Sequence, residues 1–331
     1  MQAITPDWMA KPDSAAQVQA AMISGQLDTD TICQIFEYCD AHGVTPSVFA
    51  HLVAETRKHM HAVAVAISPL MDMCGTGGDG CNTINISTAA AVIVAAAGIP
   101  VAKHGNRAAS SQCGSSDVLE ALGIPLMQTP DESVNQLHQT GLVFLFAPLY
   151  HPALRHVREA RKRYGKKTYF NKMGPLLNPM PVTHQVIGLS DYRDVDDMAP
   201  VLHQQGVQRV AFVSGDFGED EVSIAGRTRV QILEPDGHVH TEWFHPEMVG
   251  VAEQPLAAIR GGDAPYNAKI LKNIWNNHAE SAHQNVVLLN AMMAIHVCKN
   301  KSFSQCFEDV FNVCESQKAS RLFAQLSQIQ G

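Results

Sequence analysis

The stretch from Met71 to Arg107 constrains the fold more than any other part of the chain. An apolar run ending at Cys74 passes straight into Gly75-Thr76-Gly77-Gly78-Asp79-Gly80, followed by the alanine-rich block Ala89–Ala97, Gly98, and a second apolar run, Ile99 to Lys103. That order of strand, loop, helix and strand is the rhythm of an α/β domain. Glycines at 75, 77, 78 and 80 permit positive φ and close backbone approach, so successive N–H groups can point at one phosphate or pyrophosphate. Ser87 is expected to cap the alanine-rich helix, and Asn85, Ser87 and Thr88 stand where hydroxyl, amide and helix N-terminus could hold a second anionic group. The loop lacks the GK[ST] ending of a Walker A motif and is not GxGxxG. Taken alone, it reads equally as a tight turn into a buried helix.

Around this segment, residues 14 to 65 contain one glycine-poor helical texture, with apolar spacing at Ile32, Ile35, Phe36 and Cys39 and again at Val48, Phe49, Leu52 and Val53. Thr129-Pro130-Asp131-Glu132 combines an N-cap, a first-turn proline and a capping-box glutamate, with Gly141 as the stop. Strands are expected at Leu142 to Phe146 and Val207 to Val213, a hairpin over 230–245 about Pro235-Asp236-Gly237, and helices over 266–330. With 331 residues, 46% hydrophobic and 17% charged, the chain can bury a sizeable core. Its net charge of −8 argues against broad binding to nucleic acid or anionic membrane. Any anionic ligand must be held locally. The N-terminus has neither a basic start nor an apolar run, and the most apolar stretch, Ala89 to Ala102, is interrupted by Gly98 and Pro100, short of the roughly 20 residues a spanning helix needs. Eight cysteines without a CxxC pair read as reduced thiols of a cytoplasmic protein.

Lys103-His104-Gly105-Asn106-Arg107 sets two cations and two hydrogen-bonding side chains about a glycine, directly after a strand. Alone it is as easily a solvated turn. Together, GTGGDGCNTINISTAAAV, AKHGNRAASSQCGSSDVLEALGI, FLFAPLYHPALRHV, FNKMGPLLNP, DEVSIAG and GGDAPYNA make the chain resemble the anthranilate phosphoribosyltransferases over roughly residues 70 to 297. The resemblance implies an α/β fold of the nucleoside phosphorylase and phosphoribosyltransferase type. It would have a small α-helical domain (1–68, with a returning segment near 165–182) and a large α/β domain (69–331) whose central sheet is flanked by helices.

It further implies transfer of the phosphoribosyl group of phosphoribosyl pyrophosphate to the amine of anthranilate. The donor would lie on Gly75, Gly78, Asp79, Thr83, Asn85, Ser87, Thr88, Lys103, Asn106, Arg107 and Ser115, and anthranilate on Gly75, Asn106 and Arg161. Two Mg2+ ions are implied, one of them handled by the acidic pair Asp220 and Glu221, with Ser87 also close to magnesium. His104 is the candidate base for the amine, or a donor that orients it. A homodimer is implied, and a glutamine amidotransferase of the anthranilate synthase kind is a partner the resemblance allows. A sugar with separated 5-phosphate and 1-pyrophosphate ends suits two separated donor clusters and hard-cation ligands.

Read without the resemblance, Asp220-Glu221 is merely solvated charge. The run Arg155, Arg158, Arg161, Lys162, Arg163, Lys166 and Lys167 is a solvated helix face, from which only Arg161 is excepted because a planar fork suits a planar carboxylate. The family's Leu-Gly-Ile-Arg-Thr is here Tyr164-Gly165-Lys166-Lys167-Thr168, a departure beside the acceptor. The pairs His59/His61 and His238/His240 lack a third metal ligand, and Cys81 and Cys113 fill space. Two rivals share the fold: a pyrimidine nucleoside phosphorylase, and a non-catalytic nucleic-acid-binding relative, which should have lost the loop glycines and become basic.

Overall fold

The computed structural model describes residues 8, 11–108 and 112–329; the outer ends of the two expected domains, 1–7 and 330–331, lie outside the described residues. Three amphipathic helices come first: α1 (Pro12–Ile23), α2 (Thr29–His42) and α3 (Pro46–Lys58). Thr45 caps α3 through the amide of Val48, and Asp28 caps α2 through that of Thr31. The helical texture expected as far as residue 65 stops at Lys58, and the chain then runs irregularly to the sheet.

The sheet elements and their helices follow: β1 (Met71–Gly75), α4 (Ile86–Ala96), β2 (Val101–Gly105), α5 (Ser115–Ala121), α6 (Pro130–Thr140) and β3 (Leu142–Phe146). Next come α7 (Ala147–Tyr150), α8 (Arg155–Tyr164), α9 (Tyr169–Met173), β4 (His184–Gly188), α10 (Val195–Gln204) and β5 (Arg209–Gly215). The chain ends with β6 (Thr228–Leu233), β7 (Val239–Phe244), α11 (Ala264–Trp275), α12 (Ser281–Lys299), α13 (Phe303–Glu315) and α14 (Lys318–Leu326). Strand β5 begins two residues later than expected and runs two further, so Ser214 and Gly215 belong to the strand, not the loop. The expected hairpin is present, with Gly237 at φ +86° in its turn.

The sheet order is β3-β2-β1-β4-β5-β6-β7, with the first five strands parallel and the β6–β7 hairpin antiparallel. The chain starts in the middle at β1, winds outward through β2 and β3, and returns to the other side of β1 as β4. The C-terminal ends of β1 and β4 therefore flank the switch point where doubly wound sheets bind ligands. Alternation along the strands separates two cores. Met71, Met73, Ala211 and Val213 pack with α4 and the long, buried α12, whereas Val210, Phe212 and Ile187 pack on the opposite face with α10. That second core also contains Ile32, Phe36, Phe49 and Leu52 of the first helices and Val157, Ala160, Tyr169 and Phe170 of α8 and α9. Burial of these apolar faces, not helix propensity, is what fixes the short helices against the sheet. Among the described residues, no helix is long and apolar enough to cross a membrane.

Candidate active site

The glycine loop leaves β1 at the switch point. Gly77, Gly78 and Gly80 adopt φ of +70°, +72° and +77°, a region that an L side chain enters only with strain. The amide of Gly77 donates to Asp220 Oδ2 at 2.7 Å, which draws the acidic loop after β5 across to the loop after β1. That approach requires missing side chains at three adjacent strand ends. A Cβ on Gly75 would overlap the Asp220 carboxylate, one on Gly188 the Asp220 backbone, and one on Gly215 the Glu219 side chain.

Three carboxylates, Asp79, Asp220 and Glu221, thus share one corner. Burial, and then the charge of Asp79, push the Asp220 carboxyl up to about 6. Burial, and then Asp220, hold Glu221 well above the usual carboxylate range, against the pull of Lys103 and of the Ser87 amide. Lys103 is the buried cation beside this corner: it is 3% exposed and donates to the Met73 carbonyl and, at 3.1 Å, to Ser87 Oγ, while Lys167 also draws the Asp220 carboxyl down. It also opposes the burial-driven rise of buried Asp72, which accepts from Asn178 at 2.8 Å and from the His104 amide at 3.2 Å.

Ser87 is not the helix cap. Helix α4 begins at Ile86, Asn85 holds the cap position without a side-chain cap bond, and Ser87 lies inside the first turn with its hydroxyl turned to Lys103. Asn85 spends its amide elsewhere, donating to the Cys113 carbonyl at 3.1 Å and accepting from Asn267 at 2.9 Å. Thr83 forms an isolated bridge with Arg260, where a Cβ on Gly261 would meet the Thr83 carbonyl at 2.5 Å. The GGDAPYNA segment therefore braces the far side of the glycine loop. Thr88 is 1% exposed and faces the core.

A second cluster closes the end of β2. Ser115 Oγ donates to the Asn106 carbonyl at 3.1 Å and packs against Gly105. The Arg107 guanidinium faces α5, held by Glu120 at 2.6 Å and Asp117 at 3.2 Å. Asp117 also accepts the amides of Ala108 and Gly114, which fold the 106–108 and 114–117 segments together.

On the opposite face of β2 the His104 ring is buried, 5.1 Å from that of His151, and neither Nε2 has a hydrogen-bond partner among the described residues. Burial drives His104 well below the usual histidine range and His151 down to about 4, so both rings are neutral at pH 7. The Gly174 backbone partly opposes the shift at His104. Four residues before Gly174, Phe170 carries the Arg161 guanidinium 5.5 Å above its ring. Arg161 is half-buried and, among the described residues, has no hydrogen bond or ion pair.

Of the basic run, Arg158 and Lys162 are exposed as expected, and Arg163 pairs with Asp30. Lys167 is not on the helix face, since α8 ends at Tyr164 with Gly165 in the left-handed conformation. It reaches back to the site, donating to Ser190 Oγ at 2.8 Å, with its Cε 2.5 Å from where a Gly78 Cβ would lie. Lys167 was assigned from sequence to the solvated face, and His151, Asn178 and Asn267 were not singled out, although these three fall within motifs quoted for the resemblance. His59 meets Glu55 and His240 meets Glu242; among the described residues, no group of three or more His, Cys, Asp or Glu could by itself hold a metal. All eight cysteines are unpaired.

A doubly wound sheet with a glycine loop, buried lysine and carboxylates at its switch point defines a class, and the class agrees with the family model for the glycosyl transferase family a/b domain, which matches residues 68–320. The anthranilate phosphoribosyltransferase of Brevibacillus brevis is 44% identical over 238 residues, 72% of this chain and 69% of that one. That of Shouchella clausii is 36% identical over 316 residues, 96% of this chain and 92% of that one. The crystal structure of the Thermus thermophilus enzyme superposes with a TM-score of 0.86 at 30% identity, covering 97% of both chains. The Saccharomyces cerevisiae enzyme in complex with PRPP and Mg gives 0.88 at 22% identity, over 96% of this chain and 92% of that one, a likeness of fold. The chain belongs to the anthranilate phosphoribosyltransferase family.

Proposed function

We propose that the chain transfers the phosphoribosyl group of phosphoribosyl pyrophosphate to the amine of anthranilate. The bond from C1 to pyrophosphate breaks, the bond from C1 to nitrogen forms, and the amine loses a proton. The observation that carries this reading is the corner at the switch point, where positive-φ glycines, Lys103 and a carboxylate pair converge. Backbone amides and Lys103 bind and orient the leaving pyrophosphate as C1 gains oxocarbenium character. The wider donor set proposed is Gly75, Gly78, Asp79, Thr83, Asn85, Ser87, Thr88, Lys103, Asn106, Arg107 and Ser115. Of these, Arg107 must release Glu120 to reach an anion, whereas Asn85 and Thr83 act by shaping the loop.

Asp220 and Glu221, with Ser87, would hold magnesium, proposed as two ions. The fit rests on the donor chemistry: crowded carboxyl oxygens that resist deprotonation without a cation, and too few of them for a closed protein shell, as suits a metal that completes its coordination with substrate phosphates. When bound, magnesium neutralises charge on the pyrophosphate.

Anthranilate is proposed to meet Arg161 through its carboxylate, with Gly75 and Asn106 nearer the amine. The neutral His104–His151 pair supplies an unpartnered ring nitrogen in buried surroundings, suited to accepting or orienting the amine proton. Residues 1–68 with a returning segment near 165–182 are proposed as the small domain. The core shared by α1–α3 with α8 and α9 supports this and extends the return back to residue 155. A homodimer in the cytoplasm, and association with a glutamine amidotransferase, complete the proposal. Loss of anthranilate fluorescence on adding phosphoribosyl pyrophosphate and Mg2+ to the purified protein tests it. Phosphorolysis of thymidine or uridine without that loss would overturn it in favour of a nucleoside phosphorylase.

A further inference from the structure

The β6–β7 hairpin presents Arg229 directly opposite Trp243, on the face of the sheet that packs with α10. Tyr192, in the turn after β4, comes up beside them. The Arg229 guanidinium carbon lies over two aromatic rings at once, 4.4 Å from the Tyr192 ring centroid and 5.1 Å from that of Trp243. Arg227 also lies 4.9 Å from Trp243, but its charge is answered by Asp216 at 3.1 Å. Arg193 is answered by Asp191 at 2.6 Å. Of the arginines here, Arg229 alone has no side-chain hydrogen bond or ion pair among the described residues. It is half-buried, and its flanking rings stay 46% and 44% exposed.

Contact with two rings restrains a guanidinium while its N–H groups have no hydrogen-bond partner among the described residues, so the fork is arranged before any ligand arrives. A planar carboxylate fits that edge with two parallel bonds. A phosphate group is the poorer match, since the helical turn that starts at Tyr192 is already capped by the Asp191 carboxylate, which accepts the Arg193 amide. Arg229 pairs with Ser214 near the end of β5, which puts it two strand spacings, about 10 Å along the sheet, from β4 and further from the switch point beyond it.

We propose that Arg229, held against Tyr192 and Trp243, is a second anion site that takes a carboxylate, and by its aromatic rim an aromatic carboxylate, apart from the donor and acceptor sites. The structure supplies its own reporter: Trp243 is exposed, whereas the other two tryptophans, Trp8 and Trp275, are 5% and 0% exposed. Benzoate, the neutral isostere benzamide, and acetate are titrated into the full-length protein while tryptophan fluorescence is followed.

Benzoate should give a saturable change, at least tenfold tighter than benzamide or acetate. Arg229→Gln should abolish it, Arg229→Lys should weaken it about tenfold because the charge stays and the fork is lost, and Trp243→Phe should silence the signal. Arg161→Gln should leave it intact, which separates this site from the proposed acceptor pocket. Equal binding of benzoate and benzamide overturns the carboxylate assignment, and acetate binding as tightly as benzoate overturns the aromatic one. An unchanged benzoate response in Arg229→Gln and Arg229→Lys, or its loss in Arg161→Gln, overturns the site itself.

Discussion

Replacing Asp220 with Asn should make the metal-free protein more stable at pH 8 while destroying its activity. Asp220 titrates at about 6 in the fold against 3.8 for the free side chain, because it is buried beside Asp79. The folded state thus holds the proton more tightly than the unfolded chain. Below pH 3.8 both states are protonated and nothing is lost; as pH rises from there to 6, stability falls; above 6 the loss is constant. About two pKa units at 1.36 kcal/mol each make that loss about 3 kcal/mol. An asparagine keeps an oxygen to accept the Gly77 amide but never bears the charge. With an unfolding entropy of about 2.1 cal/mol/K per residue over 331 residues, 3 kcal/mol corresponds to about 4 °C in Tm. Thermal melts of parent and Asp220→Asn in chelator, at pH steps from 4 to 8, check it. The variant should gain up to about 4 °C at pH 8 and nothing near pH 4, and Mg2+ should narrow the gap at pH 8 by stabilising only the parent. A Tm difference that stays constant across the range would refute the idea that a crowded, strained carboxylate corner is kept for a cation.

Gly78→Val forces a β-branched residue to φ +72° beside Lys167, and should abolish turnover while circular dichroism stays native; unchanged kcat would reduce the loop to a turn. Arg161→Ala should lower kcat/KM for anthranilate about 10- to 150-fold, the 1.5 to 3 kcal/mol of a charge-assisted hydrogen bond, with donor KM little changed. Exposed Arg158→Ala and Lys162→Ala should be silent by the same assay. Lys167→Met should raise the KM for phosphoribosyl pyrophosphate several-fold and not that for anthranilate, because the ammonium lies against the glycine loop; steady-state kinetics with each substrate varied in turn distinguishes the two.

The sequence showed the parallel sheet where punctuation was strong. The capping box at Thr129, the stop at Gly141 and the turn at Gly237 all appear in the structure as read. Ser87 misled because a serine before an apolar helix is a good cap, and only the buried Lys103 nearby reveals that its hydroxyl is used sideways. Lys167 misled for a related reason. It continues a run of surface cations, yet Gly165 ends the helix and turns the chain so that the next lysine but one faces the site. The His104–His151 pair joins residues 47 positions apart across β2 and β3, a distance that no local pattern reports. The sheet alternation that puts Lys103 on the donor face and His104 on the other was legible in principle, since neighbouring strand residues must point opposite ways.

Gly75, Gly188 and Gly215 each end one of three neighbouring strands, and each is required by the acidic loop lying over it. In a saturation screen of this gene, Gly188 would therefore score as intolerant of even alanine, as severely as the loop glycines that approach the donor, while Gly75 and Gly215, whose Cβ would meet the Asp220 and Glu219 side chains, would score less severely. Such a profile would invite a phosphate-binding assignment for all of them. The geometry separates the groups: a ligand added in the screen could rescue a weakened loop glycine, but none could rescue Gly188, whose missing Cβ is occupied by the protein's own backbone. The strand-end glycines instead set the height at which the carboxylates ride above the sheet. Compensating changes for them should arise in the length or composition of residues 216–221, not in the substrate pocket.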